Sequence, residues 1–239
     1  MRPACTASRT RIKICGLTRE EDVLTAVAAG VDAIGFVLYA KSPRAVSAQR
    51  AAQLAQLLPP FITPVLLFVN PEPDEVANAC ALLPLALMQL HGDESPDTCA
   101  MLADVAKRAF LRAARIPTGP AGADFDLVKY ALDYSQAQAI LLDAHVEGFG
   151  GGGKAFNWSL LPPSVNAHLV LSGGLNAANV GDGIALLRPR CKSLAVDVSS
   201  AVEVDVPEGG TLKGIKDSAK IQQFVAAVRA ADERLAGLH

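Results

Sequence analysis

The sequence predicts an α/β protein, a single closed (β/α)8 or TIM barrel, from three observations. Short β-rich runs alternate with longer helical patterns along the whole chain, eight such units can be counted, and the 239 residues match the ~250 typical of that barrel. Strands flanked on both sides by helices belong to a parallel sheet, and an open doubly wound sheet, which divides more naturally after about six strands, ranks second.

The first strand is read at 11–15, after an N-terminal extension of residues 1–10, so that the barrel occupies 11–239. A helix follows over 19–29, where Val23, Ala26 and Val27 repeat with a period near 3.6 and Gly30 supplies a C-cap. The apolar run 33–38 is strand two. Its helix, 47–58, is stopped by Pro59 and Pro60. Strand three, 63–69, leads to a helix introduced by Pro71 and Pro73. Strand four is 85–90, and Ser95-Pro96 opens the fourth helix. A strand at 109–114 and a weaker helix at 124–134 form the fifth unit. Strand six, 139–143, runs into a loop with four consecutive glycines, Gly150 to Gly153. Strand seven is 169–172 with a helix over 177–187, strand eight is 193–198, and the last helix covers 217–235. Between those two, 204–213 reads as an exposed excursion.

Composition narrows the function classes. Apolar residues at 51% are ample for a core and exclude a disordered chain. Lysine plus arginine number 22 against 24 acidic residues, so there is no electrostatic footprint for nucleic acid or an anionic membrane. The longest apolar stretches, 65–69 and 82–88, fall short of the ~18 residues of a spanning helix, and 1–10 has no apolar signal region. The five cysteines are scattered without a C-x-x-C pair, which argues against a disulfide framework or a cysteine zinc site and for a reducing cytoplasm.

A barrel of this kind carries its chemistry at the C-terminal ends of the strands. Those ends hold Cys15, Gln89 and His91, Asp143, Ser172-Gly173-Gly174, and Asp197 followed by Ser199-Ser200. Alternation along a strand puts Lys13 with Cys15, Gln89 with His91, and Leu141 with Asp143 on shared faces. A lysine inside the barrel needs a partner, and Asp197 on the adjoining eighth strand is the candidate.

Cysteines in strands commonly just fill a core, the reading that suits Cys80 and Cys99. Cys15 differs because Gly16 and Thr18 end its strand there, which predicts an accessible thiol near a helix N-terminus, where a thiolate is favoured. Asp143 closes an apolar run, and is either a loop cap or a carboxyl group whose acidity is weakened by apolar surroundings, fit to be a general acid. A thiolate base and a carboxylic acid across a barrel mouth suit a proton-shuffling isomerisation, which needs no metal or cofactor. Gly173, Gly174, Ser199 and Ser200 follow consecutive strands seven and eight, and their backbone N–H groups predict a phosphate cradle.

Residues 148–155 come within one residue of a P-loop pattern, but Ala155 stands where a hydroxyl is required, so a glycine-rich lid is preferred, with Lys154 reaching an anionic substrate. Arg44 is either solvated or a carboxylate clamp. His91 is read as lining the site, against a plain core histidine. No strand carries the closely spaced His/Asp pairs of a metal site.

The segments K-I-C-G-L-T (13–18), G-F-V-L-Y-A-K-S-P-R (35–44), F-V-N (68–70), Q-L-H-G-D-E-S (89–95), L-L-D-A (141–144), G-G-L (173–175), V-D-V-S-S (196–200) and a final K-D, K-I and F resemble, in order, the phosphoribosylanthranilate isomerases of the tryptophan pathway. The resemblance implies a (β/α)8 barrel and an Amadori rearrangement of N-(5-phosphoribosyl)anthranilate, with Cys15 as base, Asp143 as acid, Arg44 on the anthranilate carboxylate and the two short loops on the phosphate. It also implies a small phosphorylated substrate and a monomer or homodimer. The chain departs from the family at Gly152, Ala155 and Asn157 in the lid, and at Ala201, where glycine is usual and a methyl group predicts crowding or a forbidden positive φ. Two alternatives stay open: another phosphate-binding barrel related to indole-glycerol-phosphate synthase, which would need a catalytic lysine and glutamates at strand ends, and a barrel without catalysis that serves as a binding partner.

Overall fold

The computed structural model describes residues 9–118, 122, 124–145 and 157–237. The predicted lid and Lys154 lie outside the described residues, as do Cys5 and most of the N-terminal extension. The chain forms eight parallel strands closed into a barrel in sequence order: β1 Arg11–Cys15, β2 Ala33–Val37, β3 Thr63–Phe68, β4 Leu87–Leu90, β5 Phe110–Pro117, β6 Ala139–His145, β7 His168–Leu171 and β8 Ser193–Val198. The ring closes by pairing β1 with β8, which sets Lys13 opposite Asp197.

Helices α1 Glu20–Ala29, α2 Ala48–Ala55, α3 Pro73–Leu82, α4 Pro96–Ala106, α5 Leu127–Asp133, α6 Val180–Leu187 and α7 Ser218–Ala236 surround the ring. Their ends follow local chemistry. Gly30, at φ 80°, donates its N–H to the carbonyls of Ala26 and Val27 and closes α1. Ser47, Ser95 and Asp217 accept the N–H three residues on and start α2, α4 and α7.

Where the structure departs from expectation, a local cause is visible. Helix α6 begins at Val180 because the Asn176 side chain accepts from the N–H groups of Ala178 and Asn179 and holds a turn there. Strand β4 starts at Leu87, since Leu85 is exposed. After β6 the described residues hold only a 3-10 turn, Trp158–Leu160, started by the Asn157 side chain and followed by Pro162 and Pro163. The excursion before the last helix is an antiparallel hairpin, β9 Glu203–Asp205 with β10 Thr211–Lys216. Its tip at Gly209 and Gly210 is exposed, as expected, but Glu203 and Lys216 at its base are buried.

Strand alternation divides the core. Ile12, Ile14, Phe36, Leu66, Phe68, Leu90, Leu142 and Leu171 pack outward under the helices. Leu111, Ala113, Ala139, Leu141 and Val170 fill the barrel interior. Above that apolar plug the inward positions turn polar, at Lys13, Gln89, Asp143 and Asp197, and all four are buried. The barrel therefore offers a dry floor with chemistry only at the strand ends.

Candidate active site

Two clusters form at the C-terminal end of the ring. The first spans the seam between β1 and β8. Lys13 Nζ donates to Asp197 Oδ1 at 2.9 Å, as the sequence predicts, with both side chains buried. Cys15 lies on the same face, one layer higher. A Cβ at Gly35 would come within 2.6 Å of Cys15 Sγ and 3.0 Å of Lys13 Nζ, so glycine on β2 is what lets thiol and ammonium share that space. The accessible thiol near a helix N-terminus is not what is found. Cys15 is 5% exposed, and α1 begins only at Glu20. The thiol is pushed up on balance: burial raises it and Asp197 adds to the rise, while the Lys13 ammonium and, more weakly, Lys216 draw it back down. The cation that favours a thiolate is thus a side chain, not a helix end.

The second cluster is a hydrogen-bonded chain on β4 and β6. Gln89 Nε2 lies 2.9 Å from His91 Nδ1, and His91 Nε2 lies 3.1 Å from Asp143 Oδ2. All three residues are buried, and Gln89 Oε1 has no partner among the described residues. His91 is therefore more than a wall of the site, because it touches the predicted acid. It is held from behind: Glu94 accepts the N–H groups of Asn70 and Gly92, and Arg112 bonds Glu94 and the carbonyls of Leu90 and Gly92. Gly173, at φ 71°, stands so close that a Cβ would reach 2.5 Å from the Ala144 nitrogen and 2.7 Å from Asp143 Oδ1.

Arg44 is buried, not solvated. Its Nε and Nη2 grip the Glu203 carboxylate at 2.6 and 2.8 Å, which leaves Nη1 free of any described partner. A Cβ on Gly16, which has φ 75°, would strike the Arg44 stem. Gly174 also has a positive φ, 67°, and its carbonyl accepts from Asn179. Ser199 spends its hydroxyl on the Cys15 carbonyl at 3.0 Å, so only its backbone remains for an anion. Ala201 sits in a 3-10 turn, Ser200–Val202, without a positive φ, so its methyl group meets no backbone conflict there.

Sequence reasoning missed Glu203 and Lys216. The available signal was a charged residue set between apolar ones at Val202-Glu203-Val204, which marks a polar group carried inward, whereas Lys216, between Ile215 and Asp217, gave no such signal. Among the described residues no cluster of His, Cys, Asp and Glu could hold a metal ion, and no helix is long and apolar enough to cross a membrane.

A closed parallel barrel with a thiol, a carboxyl group and glycine-rich loops at its strand ends defines an enzyme of the sugar-phosphate isomerase type. The family model for N-(5'-phosphoribosyl)anthranilate (PRA) isomerase matches residues 12–227, and the chain belongs to that family. It is 58% identical over 228 residues to the N-(5'-phosphoribosyl)anthranilate isomerase of Methylibium petroleiphilum, covering 95% of this chain and 98% of that protein. The crystal structure of phosphoribosyl anthranilate isomerase from Thermotoga maritima superposes with a TM-score of 0.77 at 37% identity, over 92% of this chain and 99% of the other. A second structure, of the isomerase in complex with reduced 1-(o-carboxyphenylamino)-1-deoxyribulose 5-phosphate, gives 0.71 at 33%, with the same coverage.

Proposed function

We propose that the chain isomerises N-(5-phosphoribosyl)anthranilate to 1-(2-carboxyphenylamino)-1-deoxyribulose 5-phosphate for tryptophan biosynthesis, as an intramolecular oxidoreductase working by acid-base catalysis in the cytoplasm. The reaction is an Amadori rearrangement. Asp143 gives its proton to the furanose ring oxygen, the ring opens, and the anthranilate nitrogen carries the resulting Schiff base. Cys15, as thiolate, takes the C2 proton, and the enolamine so formed tautomerises to the product. Oxidation at C2 balances reduction at C1 within one molecule, so no external electron carrier enters.

The observation that carries this reading is the placing of the two groups. Cys15 shares its space with an ammonium, which stabilises a thiolate, while Asp143 is hydrogen-bonded to the His91 imidazole, which orients its carboxyl group. Arg44 Nη1 is open to the anthranilate carboxylate, and Gln89 Oε1 to the anthranilate N–H. Gly173, Gly174, Ser199 and Ser200 supply backbone N–H groups to the phosphate, Lys154 reaches the substrate from the lid, and 11–239 works as one catalytic unit, monomeric or homodimeric.

The test follows the fluorescence loss of freshly made substrate with wild type, Cys15→Ser and Asp143→Asn. Each substitution is expected to lower kcat by at least ~100-fold, the scale of losing an acid or base. Undiminished turnover in both would remove the mechanism.

A further inference from the structure

The mechanism leaves one buried charge without a task. Lys216 ends β10 with its side chain fully buried, and burial brings its ammonium down to about 8. Its Nζ donates to the Ser199 carbonyl oxygen at 2.9 Å and lies 3.4 Å from Glu203 Oε1. Glu203 is already satisfied without it, by Arg44 Nε and Nη2, the Thr211 hydroxyl and the Gly214 N–H. The titratable and charged groups facing the ammonium are Glu203 of β9, Arg44 from the loop after β2, and Cys15 of β1, and with Lys213 at 3.9 Å from Glu203 Oε2 three cations share one carboxylate. A residue that served only to neutralise Glu203 would be redundant and costly to bury.

The Ser199 carbonyl gives the charge its purpose. In a trans peptide the C=O of one residue and the N–H of the next point in opposite directions. An oxygen held on the hairpin side therefore turns the Ser200 N–H the other way. The Ser199 hydroxyl, donating to the Cys15 carbonyl, keeps the residue from swinging. We propose that Lys216 is a positioning residue for phosphate recognition: by holding the Ser199 carbonyl it aims the Ser200 N–H at the substrate's phosphate, and it leaves a surplus positive charge behind that loop. The inference rests on reading Ser199 and Ser200 as part of the phosphate cradle. Without Lys216 the Ser199 oxygen is free to turn toward the phosphate, where the two repel.

The experiment compares the full-length wild type with Lys216→Met and Lys216→Arg. It measures kcat and KM for the phosphorylated substrate, and Kd for inorganic phosphate by calorimetry. Lys216→Met is expected to raise KM and the phosphate Kd each about tenfold, the scale of one charge-assisted hydrogen bond, with kcat within about threefold of wild type. Lys216→Arg, which keeps cation and donor, restores both. Should the Met variant not fold, the pH dependence of wild type against Lys216→Arg decides: phosphate binding by the wild type weakens relative to the Arg variant as pH rises through about 8, where the ammonium loses its proton. A wild type that ignores phosphate would overturn the cradle reading and the proposal together. A wild type that binds phosphate while Lys216→Met binds it equally well would overturn the role of Lys216 alone. So would a fall in kcat with KM and the phosphate Kd unchanged, since Lys216 would then act on Cys15.

Discussion

The two sides of the barrel mouth solve opposite electrostatic problems. Around the β1/β8 seam the buried charges stand beside one another: Lys13 with Asp197, Arg44 and Lys216 with Glu203. On β4 and β6 the chain from Gln89 through His91 to Asp143 contains a single carboxyl group and no permanent cation. In the proposed mechanism the Cys15 thiol works as a base, which requires its anion to be stabilised, and the Lys13 and Lys216 ammonium groups draw it that way. A carboxyl group acts as an acid only if it can hold a proton, and a guanidinium in direct contact would keep it ionised. What differs between the clusters is therefore the kind of partner, permanent charge on one side and exchangeable proton on the other.

The largest expected effect comes from breaking the charged side at its centre. Lys13→Met leaves Asp197 buried and unpaired, a loss of about 3–5 kcal/mol in urea unfolding, which Lys13→Met/Asp197→Asn largely recovers. With the nearer of its two cations gone, the Cys15 thiol rises further, so the pH midpoint of iodoacetamide alkylation in the Met variant moves upward. An unmoved midpoint would mean that the ammonium does not govern the thiol.

The two glycines sharpen the contrast, since each gives room to one cluster. Gly173→Ala forces a positive φ on alanine and drives a Cβ into the backbone nitrogen of Ala144, so it is expected to cost about 1–2 kcal/mol and roughly 100-fold in kcat as Asp143 is displaced. Gly35→Ala meets only the movable ends of Cys15 and Lys13. It should leave the melting temperature nearly unchanged while kcat falls, and equal losses of stability in the two variants would break the distinction.

His91→Asn removes the imidazole from Asp143 and is expected to lower kcat roughly tenfold, with little change in KM, because the proposed acid loses the hydrogen bond that orients it. A raised KM with kcat intact would return His91 to plain substrate contact.

The smallest effect is seen in acid. Although burial opposes it, Arg44, Lys216 and the Gly214 N–H hold the Glu203 carboxyl below its ordinary 4.5. A carboxylate depressed in the folded state adds stability that is complete above that value and is lost as pH falls through the lower, folded one. Unfolding free energy should therefore drop more steeply below pH 4.5 in wild type than in Glu203→Gln.

Much of this contrast was legible in the chain. Alternation alone put Lys13 and Cys15 on one inward face, and the β1/β8 closure of an eight-unit barrel made Asp197 the partner, because register follows from topology. The bond from His91 to Asp143 was not legible, since a side-chain contact across two strands leaves no periodic trace. Glu203 and Lys216 escaped for another reason: a segment rich in charge and glycine reads as solvated, and only the folded hairpin turns its two ends inward while its tip stays in water. The exposure assumed for Cys15 failed because a strand end need not be a surface when side chains beside it, here Val37, Leu67 and Val69, pack around it.

Lys13 must wait 184 residues for Asp197. A ring that shuts with its last strand depends on contacts between residues far apart in the chain, where loop closure is entropically dear. A ribosome that has released about four-fifths of this polypeptide has not yet delivered β8, and Lys13 has no Asp197 to pair with until that strand follows.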